Sequence, residues 1–446
     1  MITTLRRLTI FFLIVTAPLW ISALIWQLSP KIPLKLSLVD YTVPFDNYAE
    51  HSASVWAFNH LKVVPPTITG PVKSRETWHR ESSYSGPEPF RPYIHRRLHQ
   101  TLPLDQLKDR KSPFDIIYIA DTYGVYREDF IHTFERNGQL IQVSDESDPE
   151  LLKELFDQGE VNVHMDYSKL IFGGLSAEDL DVIEHHTQAG GDVFFEFNAF
   201  CDPTPVNVRE RAEKVAGLKW TGWSARFLMD PTDKDDTPHW LERAFIKQFP
   251  SRSLPNRPSL LLAHRDGRVY LVESDDPKDV LPTLHLKNKE LERFEISNSP
   301  YYYFWFALMS PDLNSGIEVL AEIHLHAPED NKSIYELLDL PERVPLLTER
   351  AVGQSHRFYL SIDGSDIREN LGKYWYAGLG LLNSVSPKNR GIHVNQRQVF
   401  WQFYLPMLNV ILWERSVQRY PDFPPPIWRR LLDFGSRLIS FTDNPS

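Results

Sequence analysis

Acidic residues stand at the ends of several apolar runs in this chain. Asp121 follows Ile116-Ile117-Tyr118-Ile119-Ala120, Glu196 follows Val193-Phe194-Phe195, and Asp40 closes the run over residues 34–39. Two carboxylates held close together can divide the roles of general acid and general base when burial raises the pKa of one of them. Asp121 and Glu196 are the catalytic candidates on that ground, and the competing use of the same residues is to cap helices and tie loops. Asp40, Tyr123, Asn198, Trp223 and Arg226 come at or after such ends and are the candidate ligand-binding residues. Within Trp220-Thr221-Gly222-Trp223, an indole facing a crevice would give a sugar ring a stacking platform, with Arg226 and Glu196 reading hydroxyl or acid groups. Core packing against a helix over residues 207–216 is the default reading of that cluster.

The other chemical signals are thinner. A single cysteine, Cys201, excludes any intramolecular disulfide. A cysteine nucleophile on a sharp turn needs flanking glycines so that the thiolate can reach an oxyanion hole. Asn198-Ala199-Phe200-Cys201-Asp202-Pro203 has none, so Cys201 reads as structural. His324 and His326, two apart on an expected strand, share a face in a way that suits zinc, but spacing supplies no third ligand. His185 and His186 sit on an expected helix and point apart. No metal site and no cofactor is expected.

The elements that must position these residues alternate between strand and helix over the first half of the chain. Strands are expected at residues 34–39, 115–120, 140–143, 170–172 and 192–197, with helices at 48–61, 127–137, 149–156 and 176–188. Ser176 with Asp179 has the form of a capping box, and Gly190-Gly191 stops the helix. Nearly continuous apolar runs are those of strands buried on both faces of a parallel sheet. The expected fold class is therefore α/β, a doubly wound parallel sheet with right-handed crossovers. Ligands bind such sheets outside the carboxyl ends of the strands, so Asp121 and Glu196 are expected to line one concave pocket. Residues 65–112, rich in Pro, Arg, His and Ser, read as a long surface insertion. The half beyond Pro231 reads as mainly β, and the end as helical. After Pro424-Pro425-Pro426, Ile427, Leu431, Leu438 and Phe441 form an apolar stripe opposite Arg429, Arg430 and Arg437. That stripe suits packing on the protein or lying in a membrane interface.

Charge and the first residues bound the setting. A net charge of -11 leaves no basic face for neutralising phosphates, which argues against nucleic acid as a partner. Arg6 and Arg7 precede a mostly apolar segment over residues 8–28, long enough to cross roughly 30 Å of hydrocarbon. The arginine pair places the N-terminus in the cytoplasm and the bulk outside by the positive-inside rule. Because the apolar run continues past Ser22-Ala23 through Leu24-Ile25-Trp26, a signal anchor is favoured over a cleaved signal peptide.

Residues 166–198, with Leu170-Ile171-Phe172-Gly173-Gly174-Leu175-Ser176, a helix, Gly190-Gly191-Asp192 and an apolar strand, resemble the class I glutamine amidotransferase-like domain, which has a flavodoxin-like fold. Asp40-Tyr41-Thr42-Val43-Pro44, Glu50-His51, Ile119-Ala120-Asp121-Thr122-Tyr123-Gly124-Val125-Tyr126, Glu196-Phe197-Asn198, Pro203-Thr204 and Trp220-Thr221-Gly222-Trp223 resemble an uncharacterised family of membrane-anchored bacterial proteins. The first resemblance implies an amidotransferase-like fold, and a Cys-His-Glu triad whose glycines and later His-x-Glu pair this chain lacks. The second implies a bacterial envelope location and no particular reaction. The organisation expected is a cytoplasmic stub and transmembrane anchor over residues 1–30, an amidotransferase-like α/β domain over 31–280, a β-rich domain over 281–395 and a helical tail over 396–446. The expected role is an extracytoplasmic, periplasmic binding or scaffold protein linked to polysaccharide handling, with the membrane, a glycan ligand and envelope proteins as partners. Hydrolysis of an envelope glycan by paired carboxylates is the alternative.

Overall fold

The computed structural model describes residues 11–423 apart from 13–14, 18–20, 22–23, 25, 43–44, 46–47, 69–76, 79, 90, 109–111, 127–131, 137–138, 144–161, 164–169, 234–235, 239, 297–299 and 367–395. At residues 49, 81–82, 92–93, 106, 108, 132–136, 139–143, 162–163 and 396–397 only the backbone is described. The chain runs through Leu36–Asp40 (β1), helix Ala49–His60 (α1), Tyr84–Glu88 (β2), Arg91–Arg96 (β3), Ile116–Asp121 (β4), helix Ala177–Gln188 (α2), Asp192–Glu196 (β5) and helix Val206–Ala216 (α3). It continues through Leu218–Leu228 (β6), helix Trp240–Gln248 (α4), Ser259–His264 (β7), Val269–Glu273 (β8), Thr283–Leu286 (β9), Phe306–Pro311 (β10), Glu318–His324 (β11), Arg343–Val352 (β12) and Ser355–Leu360 (β13). The last long helix is Leu405–Arg419 (α5).

The fold is mixed α/β, built on a large mixed sheet with a helical C-terminal region. Nine strands hydrogen-bond in the order β9-β11-β12-β13-β5-β4-β1-β2-β3. The five central strands β2, β1, β4, β5 and β13 run parallel, and the strands flanking them pair antiparallel. Two stretches of sequence play a different part from the one expected. The segment read as a surface insertion supplies β2 and β3, which cover the outer edge of β1. From residue 283 on, β9, β11, β12 and β13 join the same sheet, β13 pairing in parallel with β5. An unpaired strand edge exposes a row of amides and carbonyls, and these additions close both edges of the central β1, β4 and β5. Residues 132–136, expected to be helical, form a strand, His132–Arg136, paired with Gln139–Val143.

Alternation within the central strands sends side chains to two cores. Leu36, Leu38, Ile116, Tyr118, Ala120 and Phe194 face one side, where Ala53, Ala57 and Phe58 of α1 and Met407, Leu408 and Ile411 of α5 cover them. Val39, Ile117, Ile119, Val193 and Phe195 face the other, under Leu180 and Ile183 of α2 and Val208 and Ala212 of α3. Helix α2 begins as its sequence requires: Ser176 accepts from the Asp179 amide at 3.2 Å, and the Asp179 carboxylate accepts from the Ser176 amide at 3.1 Å.

A four-stranded antiparallel sheet, ordered β8-β7-β6-β10, contributes to both cores through β6. The pairing of β6 with β10 shifts register between Trp220 and Ser224, and Gly222 sits there at φ 87. The shift holds two extra residues on β6, an even number that preserves its period-two alternation. Leu218 and Trp220 therefore enter one core, while Trp223, Ala225 and Phe227 enter the other.

Both ends of the described chain are tied to the amino edge of the parallel strands. Asp192, wholly buried at the start of β5, pairs with Arg415 at 2.8 Å and Arg419 at 2.9 Å. At the other end, the described residues among 11–28 are helical. Trp26 donates its indole N–H to the His60 carbonyl at 2.8 Å, and the Lys62 ammonium donates to the carbonyls of Gln27 and Ser29 at 3.0 and 2.8 Å. A cation on the last carbonyls is a favourable helix ending. No helix among the described residues is long and apolar enough to cross a membrane. The expected span is described only in part, and the stripe over residues 427–441 lies outside the described residues.

Candidate functional site

In an open α/β sheet the crevice forms where the chain leaves neighbouring parallel strands in opposite directions. Here that point lies between β1, whose chain passes outward to β2, and β4, whose chain passes to β5. The two strands end on acids, and the register places Asp40 against Asp121 after a shift at Val39. Asp40 is wholly buried and accepts from the Thr42 amide at 2.8 Å. Its second oxygen meets Nδ1 of His51, whose Nε2 meets the Arg80 guanidinium. Arginine can only donate, so Nε2 accepts, Nδ1 carries the proton, and the imidazole is neutral. Burial lowers the His51 pKa against the opposing pull of Asp40, in keeping with that tautomer. The Arg80 guanidinium lies 3.4 Å over the Tyr48 ring.

Asp121 is 5% exposed and accepts from the Tyr123 amide at 2.6 Å. Burial pushes its pKa well above the usual carboxylate range, with Asp40 and Glu196 adding to the effect and the Tyr123 amide opposing it. Tyr123 is 51% exposed beside it, with its ring 5.1 Å from that of Tyr126. A carboxyl kept neutral at a crevice can donate as well as accept a hydrogen bond and can hold a proton for transfer.

Glu196 shares the carboxyl edge with Asp121 but not its surroundings. The pairing of Phe194 with Tyr118 and Phe195 with Ile119 turns Glu196 to the Tyr118 side of the sheet. Asp121 follows Ile117 and Ile119 to the other side, so the two do not line one open pocket. Glu196 has no exposed surface. It bonds to the Tyr118 hydroxyl, to the Tyr404 hydroxyl at 3.2 Å and to the Gly364 amide at 2.8 Å. Burial raises its pKa to about 7 although these three donors pull the other way.

The remaining expected site residues are dispersed. Asn198 is buried and donates to the Asp202 carbonyl at 2.9 Å, which ties its own loop. Trp223 is 4% exposed, packed on the His264 ring at 4.6 Å, and has no face for a sugar; period-two alternation along β6 puts it on the core face with Ala225 and Phe227. Arg226 projects from the opposite face of β6, paired with Asp236 and lying 5.0 Å over the Phe304 ring. Cys201 has no exposed surface, and burial pushes its thiol pKa well up. The residue that follows β5 with a left-handed backbone is Phe197, at φ 44.

Sequence reasoning missed Asp363 and Asp366. Both are buried just past β13, near Glu50 at the start of α1, and one oxygen from each of the three lies within 4.8 Å of the others. An all-oxygen set of this kind has the chemistry of a hard divalent cation site. Burial, then Asp366 and Glu50, raise the Asp363 pKa. The available signal was an apolar run, residues 358–362, ending on an acid as the runs before Asp40 and Asp121 do. No family model matches this chain, and no curated protein or solved structure matches it either.

Proposed function

We propose that this chain is a membrane-anchored, extracytoplasmic binding or scaffold protein of the bacterial cell envelope, engaged in polysaccharide handling and without amidotransferase catalysis. One observation carries the reading. The only thiol is sealed in the core, whereas Asp40 and Asp121 are backbone neighbours at the ends of β1 and β4, with Tyr123 exposed beside Asp121. A buried carboxyl with a raised pKa next to an exposed aromatic ring suits the hydroxyls and apolar faces of a sugar.

The finer fold reading has support in the strand order. Numbered along the chain, the five parallel strands run 2-1-3-4-5, the flavodoxin-like order. In an amidotransferase-like domain the nucleophile follows such a strand on a strained turn. At the corresponding place here, Phe197 brings no nucleophile. The tie between Trp26, His60 and Lys62 supports an anchor entering at the amino edge, which turns Asp40 and Asp121 away from the bilayer.

The paired-carboxylate hydrolase is the weaker reading, because Glu196 is sealed by Tyr118, Tyr404 and Gly364. The test is calorimetric titration of the full chain in detergent micelles with soluble fragments of envelope polysaccharides. The expected result is saturable binding that weakens at least tenfold in Asp121→Asn and Tyr123→Ala and is unchanged in the surface variant Leu313→Ala. Binding indifferent to both site variants would refute the reading, and release of cleaved product that Asp121→Asn abolishes would replace it with hydrolysis.

A further inference from the structure

The outermost strand of the nine-stranded sheet, β9, is short and pairs with β11. The register sets Thr283 opposite His324 and His285 opposite Glu322, and period-two alternation places Thr283, His285, Glu322, His324 and His326 on one face. All five are half-buried. The rings of His285 and His324 stack across the two strands with centroids 3.8 Å apart and planes 17° apart. Nε2 of His285 and Nε2 of His326 both meet the Thr283 hydroxyl oxygen, at 2.8 and 2.9 Å. That hydroxyl has one proton, so it donates to one ring and accepts from the N–H of the other. One imidazole nitrogen is therefore bare, and protonating it takes away the acceptor. The charged groups that face the three rings are Glu322 on β11, 3.6 Å from Nε2 of His324, Arg343 opposite His324 on β12, Glu342 beside it, and Asp279 before β9.

We propose that His285, His324 and His326 form an acid-sensitive clasp, which holds the edge strand β9 on β11 while the rings are neutral and loosens that pairing when they protonate. Two imidazolium rings in stacking contact repel each other, with little water between their faces to screen the charges. Arg343 adds a fixed positive charge on the same side. Glu322 can offset a first proton on His324, but a second must go to His285, stacked on that charge, or to His326, tied to Thr283. Burial lowers the pKa of all three histidines from the ordinary 6.5, with a neighbouring histidine or Arg343 adding to it. In the loosened strand the rings are solvated and titrate at their ordinary value, so the open form binds more protons than the closed one below that pH. The clasp is closed above pH 6.5 and weakens as the pH falls below it. Leu284 and Leu286, buried on the other face of β9, keep the strand on the core, so the change is confined to the pairing.

This device is independent of the function proposed for the crevice. Its sign is opposite to that of the buried carboxyls Asp121, Glu196 and Asp363, whose raised pKa values make the folded sheet more stable as the pH falls. The test is amide hydrogen exchange of the full chain in micelles, read by mass spectrometry at about pH 7.5 and about pH 5.5, with the intrinsic pH dependence of exchange divided out. Protection over β9 and β11 is expected to fall about tenfold or more at the lower pH, while that of β4 and β5 holds or rises. The fall should vanish in the double variant His285→Gln/His324→Gln and persist in the control His185→Gln. Protection over β9 and β11 that holds or rises in the parent would overturn the proposal, and that comparison within one protein needs no variant. So would a fall of the same size in the folded double variant.

Discussion

Replacing Glu196 by glutamine should remove a pH-dependent burden on the folded state. The side chain is wholly buried, and its pKa rises from an ordinary 4.5 to about 7 because burial disfavours the charged form. Below pH 4.5 the carboxyl is protonated in both folded and unfolded chains and contributes nothing to the pH dependence. Between pH 4.5 and 7 the folded state holds the proton and the unfolded state releases it, so stability falls as pH rises. At about 1.4 kcal/mol for each pH unit of displacement, the full loss above pH 7 is about 3 kcal/mol.

Glutamine keeps the bonding pattern of the protonated acid. Its carbonyl can accept from the Gly364 amide where Oε1 does now, and its amide can donate to the Tyr118 and Tyr404 hydroxyls. Denaturant unfolding of the full chain in micelles, followed by tryptophan fluorescence at pH 4.5 and pH 8, reads the difference. Relative to the parent, Glu196→Gln should gain about 3 kcal/mol over that interval. Asp121 and Asp363, also raised by burial, steepen the pH dependence of both proteins and largely cancel in the comparison. Parallel pH profiles for the two proteins would show that Glu196 is ionised and solvated in the folded state, and the description of its surroundings would be wrong.

Three other outcomes are expected. Cys201 should resist a thiol reagent in the native protein and react fully in denaturant, and Cys201→Ser, which buries a hydroxyl without an assured partner, should lower stability by about 1–3 kcal/mol; rapid native labelling would count against the buried thiol. Asp192→Asn leaves Arg415, 3% exposed, without its charge partner and should cost about 3–5 kcal/mol, read as a fall in the thermal midpoint together with faster proteolysis around α5. A reporter active only outside the cytoplasm, fused after Ser446, should be active, and the mature chain should keep Met1 or Ile2; a mature N-terminus near Lys31 would contradict the anchor.

The strand-end acids were legible because a charged residue closing an apolar run is a local event. Asp40, Asp121 and Glu196 all stand where the runs end, and the capping box at Ser176 was equally local. What a run cannot disclose is its register against its neighbours. One residue of offset decides whether a strand-end side chain turns to one face or the other, and it separates Asp121, at the mouth of the crevice, from Glu196, buried beneath it. The partners that seal Glu196 are distant in the chain: Tyr404 lies 208 residues away and Gly364 lies 168 away. The same limit explains β13. Its six residues are three polar ones followed by three apolar ones, with nothing to name a partner, and only pairing with β5 makes it the fifth parallel strand, which carries Asp363 to the edge where Asp40 and Asp121 already stand. The Trp220-Thr221-Gly222-Trp223 cluster shows the converse case, in which the default reading of a local signal was core packing and both indoles lie in cores. The two indoles stand three positions apart on β6, so period-two alternation sends each ring into a different core, and the aromatic density there reports packing. The exposed ring that can meet a ligand is Tyr123, and its position depends on β1 and β4 ending together.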